Sequence, residues 1–125
     1  MDRRCWLSAM VSFLVVGGCA TPQNTEHRGC EVIDTDIRGY YQGECNSQEQ
    51  AHGYGKSVGT DTYQGDFYSG LKHGNGVYIW RNGDRYTGQF KVDQPHGRGV
   101  MMYIDGWREE GIWQNGVPSQ TKLIQ

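Results

Sequence analysis

The sequence lacks any cluster of basic residues. Among its 125 residues, 12 Lys and Arg are scattered among 14 Asp and Glu, and the formal net charge is −2. Nucleic-acid binding depends on clustered Lys and Arg that release counterions from phosphates. The composition therefore argues against a nucleic-acid partner. It argues equally against electrostatic adhesion of a folded domain to anionic lipid.

Motifs of the common catalytic sites are also absent. The sequence contains no Gly-x-Ser-x-Gly segment, no phosphate-binding loop, no Cys-x-x-Cys and no haem-attachment motif. Acidic residues are spread along the chain, and no motif singles out a general acid–base pair. We therefore expect a protein that is not an enzyme and that needs no cofactor.

No hydrophobic run is long enough to cross a membrane. The longest, Trp6 to Val16, has 11 residues, whereas a spanning helix needs about 20. It follows a basic start and ends at small residues, which is typical of a secretory signal peptide. Val16-Gly17-Gly18-Cys19 resembles the lipobox of bacterial lipoproteins, and this resemblance implies a signal peptide over residues 1–18 and lipidation of Cys19. An ordinary cleaved signal and an uncleaved anchor are the alternatives.

Lipidation at Cys19 would attach the protein to a membrane through its acyl chains. One chain gives marginal binding and a second makes the anchor stable. The resemblance to bacterial lipoproteins also implies a place in the cell envelope. Because Ala20, rather than aspartate, follows the cysteine, we expect the outer membrane, facing the periplasm, in a Gram-negative cell. Polar, aperiodic residues suggest a tether within residues 19–38.

One phrase of aromatic and glycine residues recurs along the chain. Its tyrosines, Tyr41, Tyr63 and Tyr86, lie 22 and then 23 residues apart. Each copy is followed by His-Gly-x-Gly, and a half copy, Glu109 to Trp113, ends the series. A fixed period of this size is typical of repeat architectures, in which each unit contacts mainly its neighbours.

Apolar and polar residues alternate within each copy, which is the signature of a β-strand. Turn dipeptides such as Asn82-Gly83 and Asp105-Gly106 fall between the strands. The sequence therefore predicts an all-β fold, an antiparallel meander of about seven short strands in a single curled sheet, over residues 39–116. Residues 117–125 are predicted to form a C-terminal tail. Aromatic rings should cover the gaps that glycines leave on neighbouring strands.

The phrases Tyr-x-Gly-x-Phe and His-Gly-x-Gly at this spacing resemble MORN repeats (membrane occupation and recognition nexus), from about Tyr40 to Gly116. The resemblance implies one β-hairpin per repeat of about 23 residues. It also implies roles in protein contact, dimerisation and scaffolding, with lipid binding proposed for some members, and it places no catalytic residue in the motif. A homodimer is therefore one expected arrangement.

Two departures from the motif lie at the ends of the array. Cys45 takes the Phe position of the first copy, and export to an oxidising compartment favours its pairing with Cys30 in a disulfide. Two buried free thiols are the alternative. Glu109 takes the Tyr position of the last copy. With Arg108 and Glu110 it predicts a charged edge strand, which would discourage edge-to-edge pairing.

The recurring histidines, His52, His73 and His96, suggest a metal site, but their spacing opposes one. Equivalent positions in successive hairpins are two strands apart, roughly 9.5 Å. Zinc ligands must all reach one ion at about 2.0–2.1 Å. We interpret these histidines as hairpin residues and expect no metal.

A set of apolar residues falls on the face opposite the aromatic and glycine residues and predicts a surface for an unidentified protein partner: Val77, Ile79, Val100, Met102 and Ile104. Packing of these residues against the tether or the tail is the alternative. A second hypothesis is that the repeat surface binds cell-wall glycan (peptidoglycan) or phospholipid. Stacking platforms for a glycan would be Tyr40, Tyr54 and Tyr68.

Overall fold

A computed structural model of the protein describes residues 29–125. The predicted signal peptide and the lipidation site at Cys19 lie outside the described residues. Eight strands form one antiparallel sheet in chain order, which confirms the all-β meander. The strands are β1 (Tyr40–Cys45), β2 (Ala51–Val58), β3 (Thr62–Tyr68), β4 (Leu71–Ile79), β5 (Arg85–Lys91), β6 (Gln94–Met102), β7 (Arg108–Gln114) and β8 (Val117–Ile124). Residues 29–125 contain no helix that could cross a membrane.

The sheet has one strand more than predicted. The extra strand, β8, lies in the segment predicted to be a tail, and it pairs with β7 from Gln114↔Val117 to Arg108↔Ile124. Because β7 is therefore an interior strand, the prediction that its charges protect a sheet edge is wrong. The edge is β8, where Pro118 and Lys122 are residue types that discourage pairing with another chain.

Short turns join the strands. Gly83 and Gly106 adopt φ of 97° and 95°, the left-handed conformation that glycine accepts without steric cost. Both glycines follow the turn residues that the sequence singled out, Asn82 and Asp105. These turns make successive strands antiparallel.

A continuous row of glycines crosses the sheet from β1 to β7. Each glycine is the pairing partner of the next, and the row reads Gly43, Gly55, Gly65, Gly76, Gly88, Gly99 and Gly111. We call the side of the sheet that carries this row and its tyrosines the ring face, and the other side the outer face.

Tyrosine rings occupy the space that the glycines leave, as the sequence predicts. Tyr63 and Tyr86 are both 0% exposed. A Cβ built on Gly76 would lie 2.5 Å from Cζ of Tyr63, and one built on Gly99 would lie 2.5 Å from Cε2 of Tyr86. Each ring therefore lies over the glycine of the following strand.

The rings also form a chain of edge-to-face contacts along the sheet. Tyr63 packs against Phe67 of its own repeat, with ring centroids 4.9 Å apart, and against Phe90 of the next, at 5.1 Å. Tyr86 repeats the pattern with Phe90 at 5.1 Å and with Trp113 at 5.3 Å. Such pairs stabilise by about 0.5–1.5 kcal/mol beyond their buried area. These rings link successive hairpins into one core.

Residues 29–38, predicted as part of a tether, pack on the ring face and belong to the core. Val32 is 3% exposed and Ile37 is 0% exposed, and the Ser57 hydroxyl donates a hydrogen bond to the Ile37 carbonyl (2.7 Å). The copy of the phrase that begins at Tyr41 has Ser57 and Gly59 at the positions where the copy that begins at Tyr63 has Tyr78 and Trp80. The smaller residues, Ser57 and Gly59, leave room for Ile37.

Candidate functional site

The predicted interaction surface lies on the outer face, where its apolar side chains alternate with polar ones. Val77 pairs with Thr87, which pairs with Val100. In the adjacent row, Ile79 and Met102 flank Arg85 in the same way. The structure thus brings four of the five predicted residues together, but polar residues separate them. We call this surface, Val77, Ile79, Val100 and Met102 with Thr87 and Arg85 between them, the mosaic.

Ile104 stands apart from this mosaic. It lies in the turn between β6 and β7, is 69% exposed, and its backbone N–H donates to the Asp84 carboxylate (3.0 Å). Its side chain lies beside Gly83 in the neighbouring turn. Ile104 therefore extends the apolar surface at the turn end of the hairpins.

No described segment covers the outer face. Residues 29–38 pack on the ring face, and β8 lies in the plane of the sheet. Packing against these parts of the tether or the tail is therefore excluded. Val77, Ile79 and Val100 are half-buried by their strand neighbours, whereas Met102 is 49% exposed.

Sequence reasoning missed further apolar residues of the outer face, among them Val58, Ile112 and Ile124. Ile112 pairs with Arg98, and Ile124 pairs with Arg108. Ile124 belongs to the unpredicted strand β8. Ile112 follows the same alternation as the predicted residues and could have been found from it.

Basic residues predominate among the charged residues of the outer face. Outer-face strand positions carry more basic than acidic residues: Lys56, Arg85, Lys91, Arg98, Arg108 and Lys122 against Glu44, Asp66 and Glu110. Most other acidic residues of 29–125 lie in turns or on the ring face. The inference from overall composition, that the folded domain has no surface for anionic lipid, therefore does not hold for the outer face.

One row shows this combination of arginine and apolar side chains across five strands. Successive partners alternate between the two types: Ile79, Arg85, Met102, Arg108 and Ile124. Arg108 also forms an ion pair with Glu110 (2.6 Å), a half-exposed pair of a kind that contributes little to stability. The row presents both charge and apolar surface to one side.

The tyrosines proposed as glycan platforms also lie on the outer face. Tyr40, Tyr54 and Tyr68 are 61%, 59% and 59% exposed. Tyr40 pairs with Val58 at one end of the hairpins, whereas Tyr68 pairs with Leu71 at the other, about 20 Å away at 3.3 Å per residue. The three rings therefore do not form one platform for a single sugar.

His52 and His96 form hydrogen bonds with the turns of neighbouring hairpins. Nδ1 of His52 accepts a hydrogen bond from the backbone N–H of Ser69 (3.2 Å), and Nδ1 of His96 accepts one from Asn115 (3.3 Å). Both donors lie in turns of the following hairpin. Within residues 29–125, no His, Cys, Asp or Glu residues cluster as metal ligands would.

The two departures from the repeat motif have clear structural roles. Cys45 is joined to Cys30 by a disulfide, with Cα atoms 5.5 Å apart. Glu109 accepts hydrogen bonds from the hydroxyls of Thr121 (2.6 Å) and Tyr103 (3.0 Å). The first substitution fastens residues 29–38 to β1, and the second connects β7 to β8.

The hydroxyls of the buried tyrosines are hydrogen-bonded within the core. Burial raises the pKa of Tyr86 to about 12, and its hydroxyl donates a hydrogen bond to the Gln89 carbonyl (2.9 Å). Burial likewise raises the pKa of Tyr63, whose hydroxyl donates to the Asp66 carbonyl (2.7 Å). Both hydroxyls stay protonated at neutral pH and bond to carbonyls of their own strands, β3 and β5.

Comparison with known families agrees with the repeat pattern. The family model described as the MORN repeat matches residues 63–85 and 86–108, which hold β3 and β4 and then β5 and β6. The search of curated proteins gives no match. The register of the glycine row continues through β1, β2 and β7. The chain therefore contains two MORN repeats, within a sheet whose flanking hairpins extend the same pattern.

Proposed function

We propose that this is a lipid-anchored, non-catalytic envelope protein whose repeat sheet binds a protein partner through its outer face. The observation that carries the proposal is that no part of residues 29–125 covers the outer face, although it presents apolar side chains in the central hairpins. MORN repeats are consistent with a binding or scaffolding role. The partner surface comprises Val77, Ile79, Val100 and Met102, with Ile104 at the turn end.

The anchor is proposed from the lipobox resemblance. Acyl chains on Cys19 would hold the protein in the envelope, in the outer membrane facing the periplasm of a Gram-negative cell. The disulfide between Cys30 and Cys45 fits an oxidising compartment. Intact mass spectrometry of membrane-extracted protein should show a chain that begins at an acylated Cys19. An unmodified amino terminus would contradict the anchor.

Two substitutions test the docking surface. Ile79→Asp and Val100→Asp each place a charge within the mosaic, where burial against a partner would penalise it. Gln42→Asp is the matched control, because Gln42 is exposed on the outer face of β1, far from the mosaic. The measurement is the mass of the native complex extracted from membranes in mild detergent, with a thermal melt of each variant to verify folding.

We expect the two mosaic variants to lose the complex and Gln42→Asp to keep it. A complex that persists in folded Ile79→Asp and Val100→Asp would contradict the proposal. If the complex has twice the mass of the chain, the partner is a second copy.

A second candidate is contact with anionic phospholipid through the same face. It is favoured by the row in which Arg85 and Arg108 alternate with apolar residues, since basic side chains near an anionic surface contribute about 1 kcal/mol each. Flotation with phosphatidylglycerol vesicles should then retain the protein, and Arg85→Gln with Arg108→Gln should release it. Equal retention on uncharged phosphatidylcholine would contradict this candidate, provided that the acyl chains are removed by Cys19→Ser.

A further inference from the structure

A shallow cleft of about 460 Å³ lies at the turn end of the central hairpins. It is lined by Asp61, Trp80, Arg81, Asn82, Asp84 and Met101. Residues 29–38 cover the ring face only as far as this cleft, since the Asp61 N–H donates to the Asp36 carbonyl (2.9 Å). Trp80 and Met101 beyond that point are half-buried.

The carboxylates of the cleft are held by neutral donors. Asp61 is 8% exposed and accepts hydrogen bonds from the Tyr78 hydroxyl (2.6 Å) and the Arg81 backbone N–H (2.8 Å). Asp84 accepts from the Asn82 amide (2.9 Å) and the Ile104 N–H (3.0 Å). No ion pair within residues 29–125 includes either aspartate. Arg81 is the basic residue among those that line the cleft.

The negative charge extends along the ring face beyond the cleft. The pKa of Tyr103 is raised by burial, then by its hydrogen bond to Glu109 and by the charges of Glu109, Asp84 and Asp105. Asp105 and Glu109, like the aspartates of the cleft, form no ion pair in the described part of the chain. A partner of opposite charge would therefore find Asp61 and Asp84 in the cleft with Trp80, and Asp105 and Glu109 near Tyr103.

The same face already holds one cation of the chain in this manner. The Lys72 ammonium, 3% exposed, forms an ion pair with Asp34 and lies 3.5 Å from the Asp93 carboxylate. It also lies 5.1 Å from the ring centroid of Tyr78, within the range of a cation–π interaction. Trp80 and its neighbouring aspartates offer the same kinds of group to a cation from outside.

The geometry points to a binding site for a cationic side chain, an Arg or Lys from an extended partner segment, between Trp80 and the carboxylates of Asp61 and Asp84. The ammonium or guanidinium group lies against the indole ring, which has the strongest cation–π attraction among the aromatic residues. Its aliphatic stem packs on Met101. Apart from Ile104, whose N–H donates to Asp84, the proposed docking surface lies on the opposite side of the sheet. Substitutions at Ile79 and Val100 therefore test that surface separately from this site.

The test measures binding of a fluorescein-labelled hexa-arginine peptide to the full-length protein in uncharged detergent, by fluorescence anisotropy. A hexa-glutamate peptide of equal length is the probe control. Asp84→Asn removes one charge from the cleft and keeps its shape, and Trp80→Leu removes the ring. Glu110→Gln is the matched control, because it changes the net charge equally on the outer face.

We expect saturable binding of hexa-arginine that weakens about two- to fivefold in Asp84→Asn and by a similar factor in Trp80→Leu, and that stays unchanged in Glu110→Gln. Non-saturable binding, or equal weakening in Asp84→Asn and Glu110→Gln, would overturn the site, because it would indicate attraction to the overall negative charge. If Trp80→Leu unfolds, the comparison of Asp84→Asn with Glu110→Gln still decides the outcome.

Discussion

Replacing a single glycine of the row should destabilise the protein only while its covering ring is present. In Gly76→Ala, the three nearest atoms to the new Cβ all belong to the Tyr63 side chain. Tyr63 is 0% exposed, and its ring packs against Phe67 and Phe90. Overpacking of this kind costs about 1–3 kcal/mol. Gly76 has no left-handed φ, so backbone strain adds nothing to this cost.

Gly76→Ala should no longer destabilise the protein when Tyr63 is replaced by leucine. Tyr63→Leu alone should cost about 2–3 kcal/mol, because it deletes ring contacts with Phe67 and Phe90. In that background the ring atoms that the new Cβ would meet are gone, and alanine is favoured over glycine by about 0.4–1 kcal/mol through the unfolded state. The double-mutant cycle should therefore give a coupling free energy of about 2 kcal/mol.

Urea unfolding of the full-length protein, followed by fluorescence and circular dichroism, measures this coupling. Tyr40→Leu paired with Gly76→Ala is the control, since Tyr40 is 61% exposed and on the outer face. The changes in unfolding free energy caused by Tyr40→Leu and Gly76→Ala should add to within about 0.5 kcal/mol. Additive effects for the Tyr63 and Gly76 pair would refute the role of the rings as covers for the glycine row.

Three other predictions concern the disulfide, the last strand and a buried tyrosine, and unfolding measurements check each of them. Replacing both Cys30 and Cys45 by serine should lower the free energy of unfolding by about 3 kcal/mol, because the disulfide closes a loop of 15 residues; an unchanged value would show that residues 29–38 hold their place without it. Deleting residues 117–125 removes β8 and uncovers β7, so the Tm should fall by at least about 4–8 °C, which corresponds to about 1 kcal/mol, whereas a dispensable tail would leave the Tm unchanged. The pKa of Tyr86 in the folded protein, about 12, lies above its value of about 10 in the unfolded chain. The contribution of Tyr86 to stability should therefore be full below pH ~10 and decline as the pH rises toward 12. Tyr86→Phe should lose less stability than the unmodified protein over that pH range, and an equal loss would contradict the assigned pKa.

The central hairpins could be predicted from the sequence because local signals agree there. Tyr63, Gly65 and Phe67 alternate with polar residues, and the turns after β4 and β6 carry Asn82-Gly83 and Asp105-Gly106. The same alternation placed Val77 and Val100 on the face opposite the rings. In these repeats the strand propensity of the residues, the alternation of apolar and polar positions and the turn residues all favour the same strand register.

The ends of the sheet could not be predicted in this way. β8 reads Val-Pro-Ser-Gln-Thr-Lys-Leu-Ile, in which no regular alternation marks a strand, because an edge strand gains its order from pairing with β7. Residues 29–38 mix polar and apolar residues without a regular period, and their packing depends on the small Ser57 and Gly59 far along the chain. Long-range contacts of this kind leave no periodic signal.

The basic excess of the outer face is also invisible in the overall composition. A net charge of −2 conceals an excess of basic residues at the outer-face strand positions, because most other acidic residues lie in turns or in residues 29–38. Arg85, Met102 and Arg108 meet in one row only when the register of three strands is known. For the same reason Asp61 and Trp80, 19 residues apart in sequence, reveal their common cleft only in the folded sheet.

The most direct test of the outer face as the working surface is photo-crosslinking in living cells. A photoreactive amino acid at Thr87, between Val77 and Val100 in the row, should form a discrete adduct with a partner protein. The same amino acid at Gln42, on the outer face of β1, should form none. If Thr87 yields no adduct, or if both positions yield the same set of adducts, the central hairpins do not form the docking surface.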